Sequence, residues 1–421
     1  MKTADFLIYN ASELVTMAGH GPKVGPEMKS IDSISNGAVA GFKGRIVAVG
    51  TLEAVTAAVE FVPKTQKIDA GGKLITPGLV DAHTHLVFAG SRENEYVMKI
   101  IDGLSYEEIE ARGGGVMATV RQTIKADINA LMDQARRVLG RMLMNGTTTI
   151  EAKSGYTLQT EGEIKLLETM QKLSVEGPIE IVPTLFGAHD LPLEFKDNPD
   201  HFLDLIINEM IPAVAKQNLA CFCDSGVTFT PEQTELIFEA AKINGMGVKV
   251  HSDEFYNAGG AALAAKCSAI SAEHCLNSSD EDIKAMSEKG VIAVVLPAVP
   301  VVHKLKHNSN ARRFIDQGMA VALGTDFNPS CLIDSMPLVM SLGCYTAGMT
   351  PAEALAAATI NAACAIGRQE SVGSLEPGKQ MDIVIWDVAN HVQLTEPLGG
   401  AQAQVVVKKG SIVFKQNSPY Q

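Results

Sequence analysis

The chain has 421 residues, 46% hydrophobic and 20% charged, with a net charge of −13. That is enough chain for a large core plus a smaller accessory domain, with the composition of an ordinary soluble globular enzyme. The acidic balance, unrelieved by any basic run, argues against a nucleic-acid partner, and no apolar run is long enough to span a membrane.

Residues 1–70 hold short strand-like pieces, Phe6–Tyr9, Ala38–Phe42 and Ile46–Val49, separated by glycine-rich turns. No basic-then-apolar signal pattern precedes them. The C-terminal stretch 368–421 resumes the style in Asp382–Asp387 and Ala403–Phe414. Both ends are therefore expected to build one small β-sandwich domain around a central domain spanning 71–367.

The central part alternates short apolar runs with helical patterns, as parallel strands with crossover helices do. Eight strands are expected: Leu74–His85, Thr147–Lys153, Glu180–Ala188, Leu219–Val227, Val248–Glu254, Ala269–Cys275, Val291–Pro297 and Val321–Asp326. Helix punctuation lies between and after them. Thr230-Pro-Glu-Gln233 and Thr350-Pro-Ala-Glu353 have the form of capping boxes, the first helix ending near Asn244-Gly245 and the second closing at Gly367; Ser278–Ile283 opens a helix stopped by Gly290. Eight β/α units over about 250–300 residues suit a (β/α)₈ barrel of the α/β class. No Gly-x-Gly-x-x-Gly follows a strand, which weakens the open, doubly wound alternative. The seven cysteines, none before Cys221, are scattered rather than framed for disulfides, as expected in a reducing cytoplasm. Cys221 and Cys223 are expected to be buried thiols.

Five of the ten histidines, His83, His85, His189, His251 and His274, fall at predicted strand ends, where barrels carry their chemistry. His83 and His85 are spaced i, i+2, so along a strand they share a face. The other five, His20, His201, His303, His307 and His391, fall in loops or helices and are expected to be solvated. Three imidazoles and one carboxylate (His83, His85, His251 and Asp326) make a plausible site for one Zn²⁺ or Fe ion with an open position for water. Asp326 is then placed to take the water's proton, His274 and His189 to polarise a carbonyl, and Glu254 to pass a proton to a leaving nitrogen. Lys153 is read as an ion-pair partner of Glu151 in preference to a carbamylated bridge between two metals.

The order of His83-Thr-His85, His251, His274 and Asp326 resembles that of the amidohydrolase superfamily, as does the return Gly373–Val384. Asp81–Arg92, Tyr106-Glu-Glu-Ile, Gly113–Gly115, Glu151–Tyr156, Phe186–His189, His251–Glu254 and Thr325–Pro329 resemble, more closely, the imidazolonepropionases of histidine degradation. The resemblance implies hydrolysis of 4-imidazolone-5-propanoate to N-formimidoyl-L-glutamate with one Zn²⁺ or Fe ion per chain, in a homodimer. It implies substrate contacts from Arg92, Tyr106, Tyr156, His189, Glu254 and Asn328, extended by Ser330 and Cys331. Ser330, Cys331, Ile124 and Lys99 depart from the usual pattern. An arginine in the first βα loop suits a propionate, because a guanidinium grips a carboxylate with two donors. Gly113–Gly115 gives a flexible loop beside it, a cover for the site or a plain turn. The alternatives are hydrolysis of another cyclic amide, or deamination of a heterocycle with the same ligands.

Overall fold

The computed structural model describes residues 1–19, 21–226 and 228–416. At its centre lies an eight-stranded, wholly parallel sheet in chain order: Leu79–Asp81, Thr147–Lys153, Glu180–Ala188, Phe222–Ser225, Gly247–Ser252, Ser271–His274, Ile292–Val295 and Val321–Leu323. Backbone bonds just past the first and last strands draw its edges together. Ala82 N donates to Leu323 O (3.3 Å), Asp326 N to His83 O (3.0 Å) and His85 N to Phe327 O (2.8 Å). The sheet thus closes as a (β/α)₈ barrel, and the open-sheet alternative falls away.

Each expected strand recurs, but mostly shorter, and the reason is local. Asp253, His274, Cys275 and Asp326 have φ of 50°, 66°, 54° and 51°. A left-handed residue cannot continue a ladder, so the strands stop where the loops begin. The end of the expected fourth strand, Val227, lies outside the described residues, as does His20. The first expected strand is divided. Residues 74–77 finish a long strand of the other sheet, Val59–Pro77, paired with Ile383–Ile385. Gly78 is the pivot, because a Cβ there would collide with the Thr148 side chain.

That other sheet has seven strands in the order Ser411–Lys415, Ala403–Lys408, Ile383–Trp386, Val59–Pro77, Lys2–Val15, Ser33–Phe42 and Arg45–Thr51. Register shifts bend its long strands. Its far edge curls back, with Ile46 N donating to Lys379 O (3.0 Å) and Met381 N to Gly44 O (2.9 Å). Phe6, Ile8, Leu14, Ile75, Met381 and Ile383 fill the interior. The termini therefore form a small sandwich.

Trp386 joins the two units. Its Nε1 donates to Thr76 Oγ1 (2.8 Å) and its ring packs into the barrel's core. Gly146, at φ +84°, has no room for a Cβ against that ring.

The expected helix signals hold at Pro231–Ile243 and Pro351–Ala357, both with capping boxes, and at Asp280–Lys289, capped by Ser279 and closed by Gly290 at φ 70°. The helix opened at Thr350 does not run unbroken to Gly367. It is interrupted at Thr359 and resumes as Ile360–Ala365, because Thr359 Oγ1 bonds back to Leu355 O (2.5 Å) while its own backbone leaves helical values. All seven cysteines are free thiols; Cys223 is buried as expected, whereas Cys221 is exposed just before its strand begins.

Candidate active site

The C-terminal mouth of the barrel opens into a cavity of about 900 Å³. At its base the imidazoles of His83, His85 and His251 each offer a nitrogen within 4.8 Å of the others. Asp326 Oδ1 lies 3.4 Å from His83 Nε2 and 3.6 Å from His85 Nε2. The four residues drawn from three separate strands thus meet at one point. Asp81 holds two of those segments together: it accepts from Thr325 N (3.0 Å), Thr325 Oγ1 (2.7 Å) and His83 N (3.3 Å).

Beneath the imidazoles is a fully buried layer of charge that the sequence reading only half foresaw. Lys153 Nζ lies 2.7 Å from Glu151, 2.9 Å from Asp224 and 2.8 Å from Glu273. Lys249 Nζ lies 2.9 Å from Glu273 and 3.4 Å from Glu151. Two ammonium groups thus neutralise most of three carboxylates, and the remaining charge faces the imidazoles. Glu273 Oε2 is 2.7 Å from His83 Nδ1, and Asp224 Oδ2 is 3.0 Å from His251 Nδ1. Carboxylates at Nδ1 fix each ring and leave Nε2 as the donor to a cation. The Glu151–Lys153 pair was legible; Lys249 and Glu273 were not.

This donor set fits a divalent metal. His83 Nε2 is buried and has no hydrogen-bond partner among the described residues, an orphaned lone pair that a cation would complete. Burial holds His85 well below the usual imidazole range, so its lone pairs stay available. Asp326 is pushed up by burial but held at about 2 by the surrounding imidazoles, His83 foremost. A second cluster, Asp224, His251 and Glu273, also has ligand spacing, but the Lys153 ammonium stands between its two carboxylates.

Above the base, burial and the nearby Asp326 charge raise Glu254 to about 8. Its Oε1 is 3.8 Å from His274 Nδ1. Burial holds His274 well below its ordinary value and His189 at about 3. The His189 ring is stacked on Phe186, and its Nδ1 is 2.9 Å from Gly155 O. His274 at φ 66° and Asp326 at φ 51° are both held in left-handed backbone, a cost that surrounding structure sustains at functional positions.

Of the residues expected around a substrate, Arg92, Tyr106, Tyr156, His189, Glu254, Asn328 and Ser330 line the cavity. Cys331 does not. Its side chain is fully buried, with Sγ 3.8 Å from Thr325 O, because the Asn328–Cys331 turn points it back into the barrel. Asn328 builds that turn: its Oδ1 accepts from Ser330 N (2.8 Å), Ser330 Oγ (2.8 Å) and Cys331 N (3.0 Å), and its Nδ2 donates to Asp326 O (2.9 Å). Arg92 is paired with Glu95 and lies over the Tyr106 ring. His303, expected on the surface, is half-buried in the cavity wall instead, and burial takes it down to about 4, whereas His307 lies at the cavity rim and is exposed, as expected. The helix Ala298–His303, which follows the seventh strand, carries His303 there. His391 is taken up by Glu13 at 3.1 Å.

Comparisons with known proteins show the family and the fold. The pattern of the Amidohydrolase family matches residues 74–413. An imidazolonepropionase from Geobacillus sp. strain WCH70 is 48% identical over 416 residues, covering 97% of each chain. Imidazolonepropionases from Geobacillus kaustophilus (47%, 98% of this chain and 99% of that protein) and Symbiobacterium thermophilum (45%, 99% of each) are similar. Among solved structures, an adenosine deaminase from Xanthomonas campestris with bound zinc superposes with a TM-score of 0.72 at 19% identity, over 99% of this chain and 94% of that one. A mutant atrazine chlorohydrolase from Arthrobacter aurescens, complexed with zinc and atraton, gives 0.72 at 17%, over 97% and 95%. At such identity these two show the shared fold.

Proposed function

We infer the details of the reaction from one premise: the chain belongs to the amidohydrolase family and, within it, to the imidazolonepropionases. It hydrolyses the C–N bond of a cyclic amide, converting 4-imidazolone-5-propanoate and water to N-formimidoyl-L-glutamate in histidine degradation. The water oxygen joins the ring carbonyl carbon, the ring C–N bond opens, and the released nitrogen takes a proton.

The observation that carries the assignment of residues is the meeting of three imidazoles and Asp326 under Glu254 and His274. We assign His83, His85, His251 and Asp326 to hold one Zn²⁺ or Fe ion per chain. Such an ion makes water acidic enough to act as a nucleophile near neutral pH; imidazole and carboxylate donors suit either metal. The ammonium of Lys153 within the neighbouring carboxylates supports a single ion. Asp326, ionised at about 2, accepts the proton of the attacking water. Glu254, raised to about 8, still carries a proton at neutral pH and passes it to the leaving nitrogen. His274 and His189, kept neutral by burial, face the carbonyl oxygen. Arg92, Tyr106, Tyr156, Asn328 and Ser330 surround the propionate end. We further propose a cytoplasmic homodimer without nucleic-acid or membrane partners. The charge of −13 supports the absence of a nucleic-acid partner, and no helix among the described residues is long and apolar enough to cross a membrane.

The test is turnover of freshly generated imidazolone propionate beside a panel of cyclic amides and aminopurines, with elemental analysis of the same preparation. The expected result is about one ion per chain and a clear preference for the imidazolone. Faster release of ammonia from an aminopurine would sink the reading in favour of a deaminase.

A further inference from the structure

Glu254 stands where the chain leaves the barrel. The fifth strand ends at Ser252, Asp253 turns left-handed at φ 50°, and Phe255, Tyr256 and Asn257 beyond Glu254 are exposed. Exposed neighbours cannot hold its main chain by packing, yet its Oε1 lies 3.8 Å from His274 Nδ1. His274 shares the difficulty. It and Cys275 are left-handed, at φ 66° and 54°, and the ladder between the fifth and sixth strands ends at the pair Ser252 and His274.

Where the ladder stops, hydrogen bonds between the two loops take over. Cys275 N donates to Ser252 O (2.8 Å) and Asn277 N to Asp253 O (3.0 Å). The Asn277 side chain reaches one residue further, its Nδ2 donating to Asp253 O (3.1 Å) and to Glu254 O (2.9 Å). Both neighbours are carbonyl oxygens, which only accept, so the amide nitrogen and not the amide oxygen must face them. The far flank of the bend is held by the buried Asp253. Its Oδ1 accepts from Ala258 N (2.9 Å) and Gly260 N (3.1 Å), and its Oδ2 from Ser278 Oγ (2.6 Å). Asp253 therefore shapes the loop, whereas Asn277, half-buried at the cavity wall, ties the main chain of Glu254 to the loop of His274.

We propose that Asn277 is a positioning residue for the reaction: it fixes Glu254 against His274, so that the proton for the leaving nitrogen arrives at a set distance from the imidazole facing the carbonyl. This rests on the roles read for Glu254 and His274 above. The Asn277 donors are spent on main-chain carbonyls, so it acts through Glu254 and not on the substrate. A reacting group misplaced by about 1 Å can lose on the order of 10²-fold in rate, which makes a half-buried amide without chemistry of its own matter to turnover.

Steady-state turnover of the metal-loaded enzyme tests this with four proteins: the parent, Asn277→Ala, Glu254→Gln and the double variant. Asn277→Ala should lower kcat by about tenfold or more, leave KM within about twofold and keep the metal. Asn277→Leu, which keeps bulk but lacks the donor, should behave alike and serves if the alanine variant does not fold. In the double variant kcat should fall no further than in Glu254→Gln, because a displaced glutamine has no proton to misdeliver. Parent-like kcat in Asn277→Ala, or losses that multiply in the double variant, would overturn the proposal and leave Glu254 as the donor. A rise in KM or a loss of metal in step with kcat would make Asn277 a support of the whole loop and overturn it too. Full turnover by Glu254→Gln would overturn the reading beneath the proposal, and the proposal with it.

Discussion

The base and the mouth of the cavity are built on opposite electrostatic plans. At the base, Lys153 and Lys249 are interleaved with Glu151, Asp224 and Glu273 on barrel strands, each charge within 3.4 Å of an opposite one. At the mouth, charges sit on the helices and loops after the strands, and Lys99, on the helix Glu93–Ile100, has no carboxylate partner among the described residues. The difference separates two tasks. A cation site needs donors whose directions do not drift, and strands paired on both sides supply that. A substrate arm needs side chains that can turn to meet it when it arrives, and helices and loops beyond the strands leave them that freedom.

The largest expected effect breaks the base. Lys153→Met leaves Lys249 alone among three buried carboxylates and should cost roughly 3–5 kcal/mol of unfolding free energy. The orienting carboxylates are then free to move, so metal affinity should fall by about tenfold or more. Denaturant unfolding of the metal-free protein and competition with a chelator read the two separately. Parent-like values in both would mean the buried layer is mere filling and the contrast drawn above is false.

Next comes the proton on Glu254. Glu254→Gln keeps shape and metal but should reduce kcat by roughly 10²-fold or more. Unimpaired turnover of a metal-replete variant would reassign Glu254 to supporting His274.

Arg92→Met sharpens the comparison at the mouth. Removing one partner of a buried charge pair costs on the order of 2–4 kcal/mol, so kcat/KM should fall by roughly 30- to 1000-fold. Part of that loss belongs to Glu95, left buried and alone. The double variant with Glu95→Gln should recover stability but not substrate affinity, and recovery of both would make Arg92 a structural residue only.

The smallest effect lies away from the cavity. Glu180, near Lys408 and Arg368, and Glu353, paired with Arg312, are both lowered from 4.5 although burial pushes them up. The folded state then binds fewer protons than the unfolded one below that value. Their stabilisation is full above about pH 4.5 and drains as the pH falls through the lowered folded values. Urea unfolding at descending pH should show this, and Glu353→Gln should flatten the slope. An unaltered slope would assign the acid sensitivity to other groups.

The barrel and the metal-ligand candidates were readable because strand periodicity and strand-end polarity are local signals. His83 and His85 stand two apart after an apolar run, and Asp326 ends another. Glu273 and Lys249 escaped for the same locality: each sits inside a short strand where a charge reads as solvent-facing. Only closure of the sheet turns that face inward. A clue was present in Lys249, two residues before His251 and so on its face, but Glu273 meets His251 through cross-strand register, Glu273↔His251, which one sequence does not print. The division of Leu74–His85 was hidden because residues 74–77 are as apolar as a barrel strand while serving another sheet. His303 was missed because the helix Ala298–His303 is too short to carry a periodicity that betrays which way the chain folds.

Trp386 gives the molecule a property of a different kind. It is the sole tryptophan, and it lies where the terminal sheet seats on the barrel, anchored to Thr76 and pressed on Gly146. The protein therefore carries a native optical label at a single address. Its emission will register the parting of the two units, silent to events in the cavity but shifting to the red as water reaches the indole.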